Sequence, residues 1–79
     1  MSVFSDESTI AYVIRRCREM GEDPFIIRSS SRRREHVLAR KAIATELRSF
    51  GHSYPGIGRA INRNHATVMY LVGAFKRPA

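Results

Sequence analysis

Between Ser53 and Phe75 the apolar residues fall on two helical faces with only Asn62, Arg63 and Asn64 between them, so the chain must turn one tight corner there. Tyr54, Ile57, Ala60 and Ile61 recur at steps of three and four, the spacing of one helical face. Ser53 is suited to cap that helix, and Pro55 fits its first turn, where a missing amide hydrogen leaves nothing unsatisfied. Asn62 to Asn64 supply turn and capping chemistry, after which Val68, Leu71, Val72 and Phe75 form the second face. Such a corner suits an ordinary helical core and a helix-turn-helix equally well. In the second case one helix crosses the phosphates of a duplex, and the next presents Arg63, Asn64, His65, Ala66 and Thr67 to the major groove.

With 79 residues the chain has room for one small domain with a modest core and little space for a separate catalytic centre. Fourteen Lys and Arg against seven acids give a formal charge of +7, a balance that favours nucleic acid or another anionic surface. Distribution sharpens the point, because no Asp or Glu follows Glu46 while Arg48, Arg59, Arg63, Lys76 and Arg77 do. Arg59 is thereby a candidate for phosphate contact. The corner therefore lies in a wholly positive half. Cys17 is the sole cysteine, which excludes an internal disulfide and a cysteine-built zinc cluster and suits a reducing cytoplasm. No apolar run approaches the roughly 20 residues of a bilayer span, and Asp6 and Glu7 argue against a secretory or arginine-rich targeting segment.

Residues 1–5 read as a short loose terminus in which Ser5 is placed to cap a helix carrying Asp6 and Glu7 in its first turn. Ile10, Val13, Ile14, Cys17 and Met20 extend that helix to about residue 20, with Gly21 as its stop and Cys17 on the buried stripe. Arg15, Arg16 and Arg18 point in more exposed directions, toward solvent or phosphate. Asp23 and Pro24 read as cap and first residue of a short helical turn through Phe25, Ile26, Ile27 and Arg28, packed on the first helix; a short strand is the other reading of that run. Three serines, Ser29 to Ser31, then lead into Arg32, Arg33 and Arg34, a basic loop able to follow phosphate or enter a minor groove, or simply to solubilise the surface. A long helix over about 35–50 has its buried line at Ala39, Ile43, Leu47 and Phe50, widened by Leu38 and Ala42. Arg40 and Lys41 flank the line with stems long enough to reach phosphate. His36 is expected at the surface or at the helix start, Gly51 to end the helix, and residues 76–79 to form a basic tail.

His36, His52 and His65 make no metal-binding spacing, and Glu46 lacks the histidine partners of a zinc hydrolase. Gly56 and Gly58 follow no strand and lack the lysine of a phosphate-cradling loop. The expectation is a binding module with no cofactor, no metal, no small-molecule substrate and no enzymatic activity.

Three stretches carry a family resemblance: Arg34-Glu35-His36-Val37-Leu38-Ala39-Arg40-Lys41, Ser53-Tyr54-Pro55-Gly56-Ile57-Gly58 and Arg63-Asn64-His65-Ala66-Thr67-Val68. In that order and spacing the chain resembles the C-terminal DNA-binding domain, domain IV, of the bacterial chromosomal replication initiator DnaA. That family reads approximately R-E-x-V-L-A-R-Q, S-L-P-E-I-G and R-D-H-T-T-V. The resemblance spans nearly the whole chain and implies an all-α, compact helical domain with a helix-turn-helix of the Trp-repressor-like kind, one domain over residues 1–79. It implies Arg63 to Thr67 at the start of the recognition helix, Arg32 to Arg34 as the loop entering the adjacent minor groove, and Arg40 and Lys41 as phosphate or supporting contacts. Double-stranded DNA is the implied partner, with a replication protein as a further one, in the cytoplasm at the nucleoid.

Where the family has aspartate before histidine this chain has Asn64, which exchanges an acceptor-only group for one that also donates and so shifts the expectation from cytosine toward adenine. Ala66 replaces threonine, Gly56 replaces glutamate, and the turn is about one residue shorter, so the expected site is a DnaA-box-like or altered sequence. These residues hold no nucleotide loop and no room for the ATPase module of the initiator. The expected role is regulation of replication or transcription, whether by a small regulator, a phage or accessory protein competing for initiator sites, or a domain of something larger. The alternative is a protein-interaction or antagonist module that keeps the fold without specific DNA binding. RNA binding has the charge in its favour but lacks stacking aromatics on a sheet.

Overall fold

The structure, a computed structural model, describes residues 6–73, and within them the chain forms five helices: α1 (Asp6–Glu19), α2 (Pro24–Ile27), α3 (Arg34–Ser49), α4 (Tyr54–Ile61) and α5 (His65–Leu71). The expected loose start at 1–5, the Ser5 cap, Phe75 and the basic tail at 76–79 lie outside the described residues.

Local chemistry places each boundary. The Asp23 carboxylate accepts from the Phe25 amide at 2.8 Å and Pro24 occupies the first turn, so α2 starts as its sequence dictates. Ser53 caps α4 by accepting from Gly56 N, with Pro55 again in the first turn. α1 ends on Gly21, whose φ of +75° is costly for a residue with a Cβ. The helices bury one continuous core of Val13, Cys17, Ile27, Ala39, Ile43, Ala44, Leu47, Ile57, Ala60, Ile61 and Val68. α1 lies across α4, and α3 backs α4 and α5, so the two-helix corner is held from behind by both long helices.

The buried face of α3 is rotated from the one expected. Leu38 is 54% exposed and Phe50 49%, while Arg40 is 3% exposed and Ala44 fully buried. The stripe is Ala39, Arg40, Ile43, Ala44 and Leu47, and Arg40 lies on it rather than beside it. Phe50 instead sets its ring edge-on to Tyr12, with centroids 5.5 Å apart. The short α2 packs through Ile27 alone and leaves Phe25 81% exposed, because a four-residue helix can turn only one side chain to the core.

One polar cluster joins the long helices. Arg16 donates two bonds to the Glu46 carboxylate, each 2.8 Å, and the Tyr12 hydroxyl donates a third at 2.6 Å. These donors hold the Glu46 carboxyl at about 2, well below the ordinary range, with Arg16 the largest cause. Arg16 is thus engaged within the fold rather than directed to solvent or phosphate, and Arg15 pairs with Glu19 on the same helix. Burial pushes the Cys17 thiol up from its usual value, as expected for a cysteine packed in a core. No described helix is long and apolar enough to cross a membrane.

Candidate nucleic-acid interface

The corner between α4 and α5 is made of the three residues read from the sequence. Asn62 adopts the left-handed conformation, φ +58° and ψ +51°, which asparagine tolerates better than most residues. The Arg63 amide then donates to Gly58 O at 2.7 Å, closing the turn back onto α4. That closure brings backbone against backbone: a Cβ at position 58 would lie 2.4 Å from Arg63 O. Gly58 is the residue that lets the second helix leave so close to the first.

Asn64 caps α5, its Oδ1 accepting from the Ala66 amide at 2.8 Å. Oδ1 is engaged in the cap, and a two-point contact to adenine would have to share it. The Nδ2 donor is the half of the amide left to offer, matching an acceptor such as guanine O6, adenine N7, thymine O4 or a phosphate oxygen. His65, Ala66 and Thr67 make up the first turn of α5 and are all exposed, while Val68 is buried beneath them. A helix with its first turn free and its next residue in the core presents that first turn as a fixed surface.

The basic loop stands beside this turn. Ser30, Ser31, Arg32, Val37, Arg40, Asn62, Arg63, Thr67 and Leu71 line one cleft of about 400 Å³, so Arg32 of the loop and Thr67 of α5 face the same space. Arg32, Arg33 and Arg34 are exposed, with Arg33 paired to Glu35 at 3.0 Å. Ser31 anchors the loop: its hydroxyl lies 2.6 Å from His36 Nδ1, and His36 in turn lies 3.8 Å from Glu22. His36 therefore stands at the start of α3, one of its two expected places, but is half-buried as a loop support rather than lying on the surface. A second, shallower cleft on the other side of the turn brings Arg59 together with Asn64 and His65. Lys41 is exposed on α3.

Arg63, expected in the major groove, and Arg40, expected as a phosphate or supporting contact, both spend their donors within the fold. Arg40 donates from Nε to Ile27 O at 2.6 Å and from Nη2 to Ile26 O and Ser29 O at 3.4 and 3.3 Å. Burial, with the neighbouring Arg63 cation, lowers its pKa. At 3% exposure it has no phosphate to reach, and what it supports is the backbone between α2 and the loop. Arg63 is half-buried and bonds the carbonyls of Asn62 and Ser29. Arg48, counted with the positive half, lies over the Tyr54 ring at 4.3 Å and donates to His52 O at 2.9 Å.

The sequence reading missed Arg28 as a structural residue and, while placing Asn62 in the turn, missed its side-chain bond to Arg28 O; nothing in their spacing marks that pairing. For Arg40 a signal existed: 40, 43, 44 and 47 are themselves one helical face. Thr9 is similar, buried at 2% and four residues before the core residue Val13, with its hydroxyl 3.2 Å from His52 Nδ1.

A tight two-helix corner, an exposed first turn on the second helix and a flanking basic loop define a DNA-binding helix-turn-helix domain. The model of the bacterial DnaA protein helix-turn-helix matches residues 8–74, and the chain belongs to that family. No curated protein and no solved structure matched it.

Proposed function

We propose that the chain binds double-stranded DNA at specific sites, reading two grooves at once, and so regulates replication or transcription as a non-catalytic, nucleoid-associated cytoplasmic protein. Asn64, His65, Ala66 and Thr67 enter the major groove; Arg32, Arg33 and Arg34 reach the adjacent minor groove; Lys41 and Arg59 approach phosphates on either side. The observation that carries this reading is the shared cleft, which sets Arg32 and Thr67 across one gap. Phosphate contacts of this kind give register and affinity, and the α5 side chains give the sequence preference. The Ala66 methyl offers an apolar contact to a thymine methyl, and Asn64 Nδ2 offers a donor to a base acceptor. The target is a DnaA-box-like or altered site.

The test is selection from random duplexes at fixed salt, followed by affinity measurement on the enriched and scrambled sequences. Enrichment of one duplex family supports the reading. No enrichment over scrambled DNA sinks specificity, and if no duplex is bound while a replication protein is, the chain is a protein-interaction module.

A further inference from the structure

The segment that links α2 to the basic loop is bonded to the helix-turn-helix corner in four places. Arg28 donates from Nε to Ala60 O at 2.9 Å and from Nη2 to Arg59 O at 3.4 Å, gripping the end of α4. Asn62 returns the contact, donating from Nδ2 to Arg28 O at 3.0 Å. Arg63 donates from Nη1 to Asn62 O at 2.9 Å and from Nη2 to Ser29 O at 2.5 Å. Arg40 reaches the same Ser29 carbonyl from α3 at 3.3 Å. Two guanidinium groups converge on one backbone oxygen, and the loop of Ser30 to Arg34 starts at the following residue.

We propose that Arg63 is a positioning residue: by holding the Ser29 carbonyl it fixes the spacing between the basic loop and α5, so that both meet their grooves in one register. This rests on the two-groove reading above. Arginine is the residue such a link needs, because its planar fork serves the Asn62 and Ser29 carbonyls together, whereas lysine offers one point charge. The fork spent on backbone explains why a residue at the head of the recognition segment is half-buried while His65, Ala66 and Thr67 after it are exposed. Specificity then depends on a residue that touches no base, through the geometry it imposes on those that do.

The experiment has an arm without DNA and an arm with it. In the first, amide exchange is compared by NMR between the wild type and Arg63→Gln. The Ser31 and Arg33 amides, which donate to Ser29 Oγ and Ser31 Oγ, should exchange roughly tenfold faster in the variant, while core amides of α1 and α3 keep their rates. Unchanged exchange at Ser31 and Arg33 overturns the proposal. If Arg63→Gln does not fold, Arg63→Met serves instead: it keeps the apolar stem, removes both donors to the Asn62 and Ser29 carbonyls, and should speed exchange at Ser31 and Arg33 in the same way, unchanged rates again overturning the proposal. In the second arm Arg63→Gln is combined with Arg32→Ala on a duplex enriched by the wild type. Arg32→Ala should weaken binding roughly tenfold in the wild type but less than about threefold beside Arg63→Gln, since a loop already out of register has little left to lose. Equal losses in both backgrounds overturn the proposal. Should the wild type enrich no duplex, the two-groove reading fails on that result, and the exchange arm still decides whether Arg63 holds the loop.

Discussion

Replacing Gly58 with alanine separates tertiary constraint from helix propensity, because the two predict opposite signs. Propensity alone favours alanine over glycine inside a helix by about 1 kcal/mol. At this position the new methyl would lie 2.4 Å from Arg63 O and 3.6 Å from His65 N. Carbon and carbonyl oxygen approach comfortably only at about 3.3 Å, so the turn must open by about 0.9 Å. The atom that must yield is backbone, and no rotamer change relieves it. Overpacking of this kind costs about 1–3 kcal/mol, and opening the turn also strains the 2.7 Å bond from Arg63 N to Gly58 O, a loss of about 1 kcal/mol. Subtracting the propensity gain leaves Gly58→Ala about 1–3 kcal/mol less stable. For a domain of this size the midpoint of thermal unfolding falls by about 4–8 °C per kcal/mol, readily seen by circular dichroism. Gly56→Ala is the control: its methyl would meet only the Ser53 hydroxyl, at 3.1 Å, so its effect should stay within about 1 kcal/mol of zero. A midpoint for Gly58→Ala at or above that of the wild type would refute the close approach.

Three further outcomes follow from particular contacts. Asn64→Asp keeps a cap acceptor at the start of α5 and adds a negative charge there, so thermal stability should rise by about 0.3–1 kcal/mol while DNA affinity falls and the enriched sequence changes; an unchanged preference would remove Asn64 from the reading surface. The Glu46 carboxyl, held at about 2 in the fold and near its ordinary value of about 4.3 when unfolded, takes up its proton first in the unfolded chain. Its stabilisation is therefore complete above the unfolded value and lost as pH falls toward about 2, and urea titrations should show Glu46→Gln with a flatter decline over that range than the wild type. Cys17, fully buried with its thiol pushed up, should react with a thiol reagent only after denaturant is added, and prompt reaction in buffer would contradict the core placement.

The elements were legible where local chemistry and periodicity agree. Asp23-Pro24, Ser53 with Pro55, and Asn64 each cap the helix their sequence announces, and the Asn62–Asn64 break is the observed turn. What escaped was the partner of each charge. Arg40 sits on the apolar stripe of α3, but its burial depends on the carbonyls of Ile26, Ile27 and Ser29 that accept from it, which only the path of the chain after α2 supplies. Arg16 and Glu46 are 30 residues apart, and no spacing rule joins them. Arg63 was read as a DNA contact from its place in the family motif, and the geometry that turns its fork to Ser29 is a tertiary fact. The exposure of Phe50 and Leu38 has the same origin as the burial of Arg40, since one rotation of α3 sets all three.

The central claim is that one molecule reads two adjacent grooves from a fixed frame. Interference footprinting on the enriched duplex tests it most directly, with methylation at guanine N7 reporting the major groove and at adenine N3 the minor groove. The account predicts a major-groove block opposite α5 and a neighbouring minor-groove block, with replacement of Arg32, Arg33 and Arg34 by alanine removing only the minor-groove block. Interference confined to one groove, or both blocks surviving the loss of all three arginines, would contradict it.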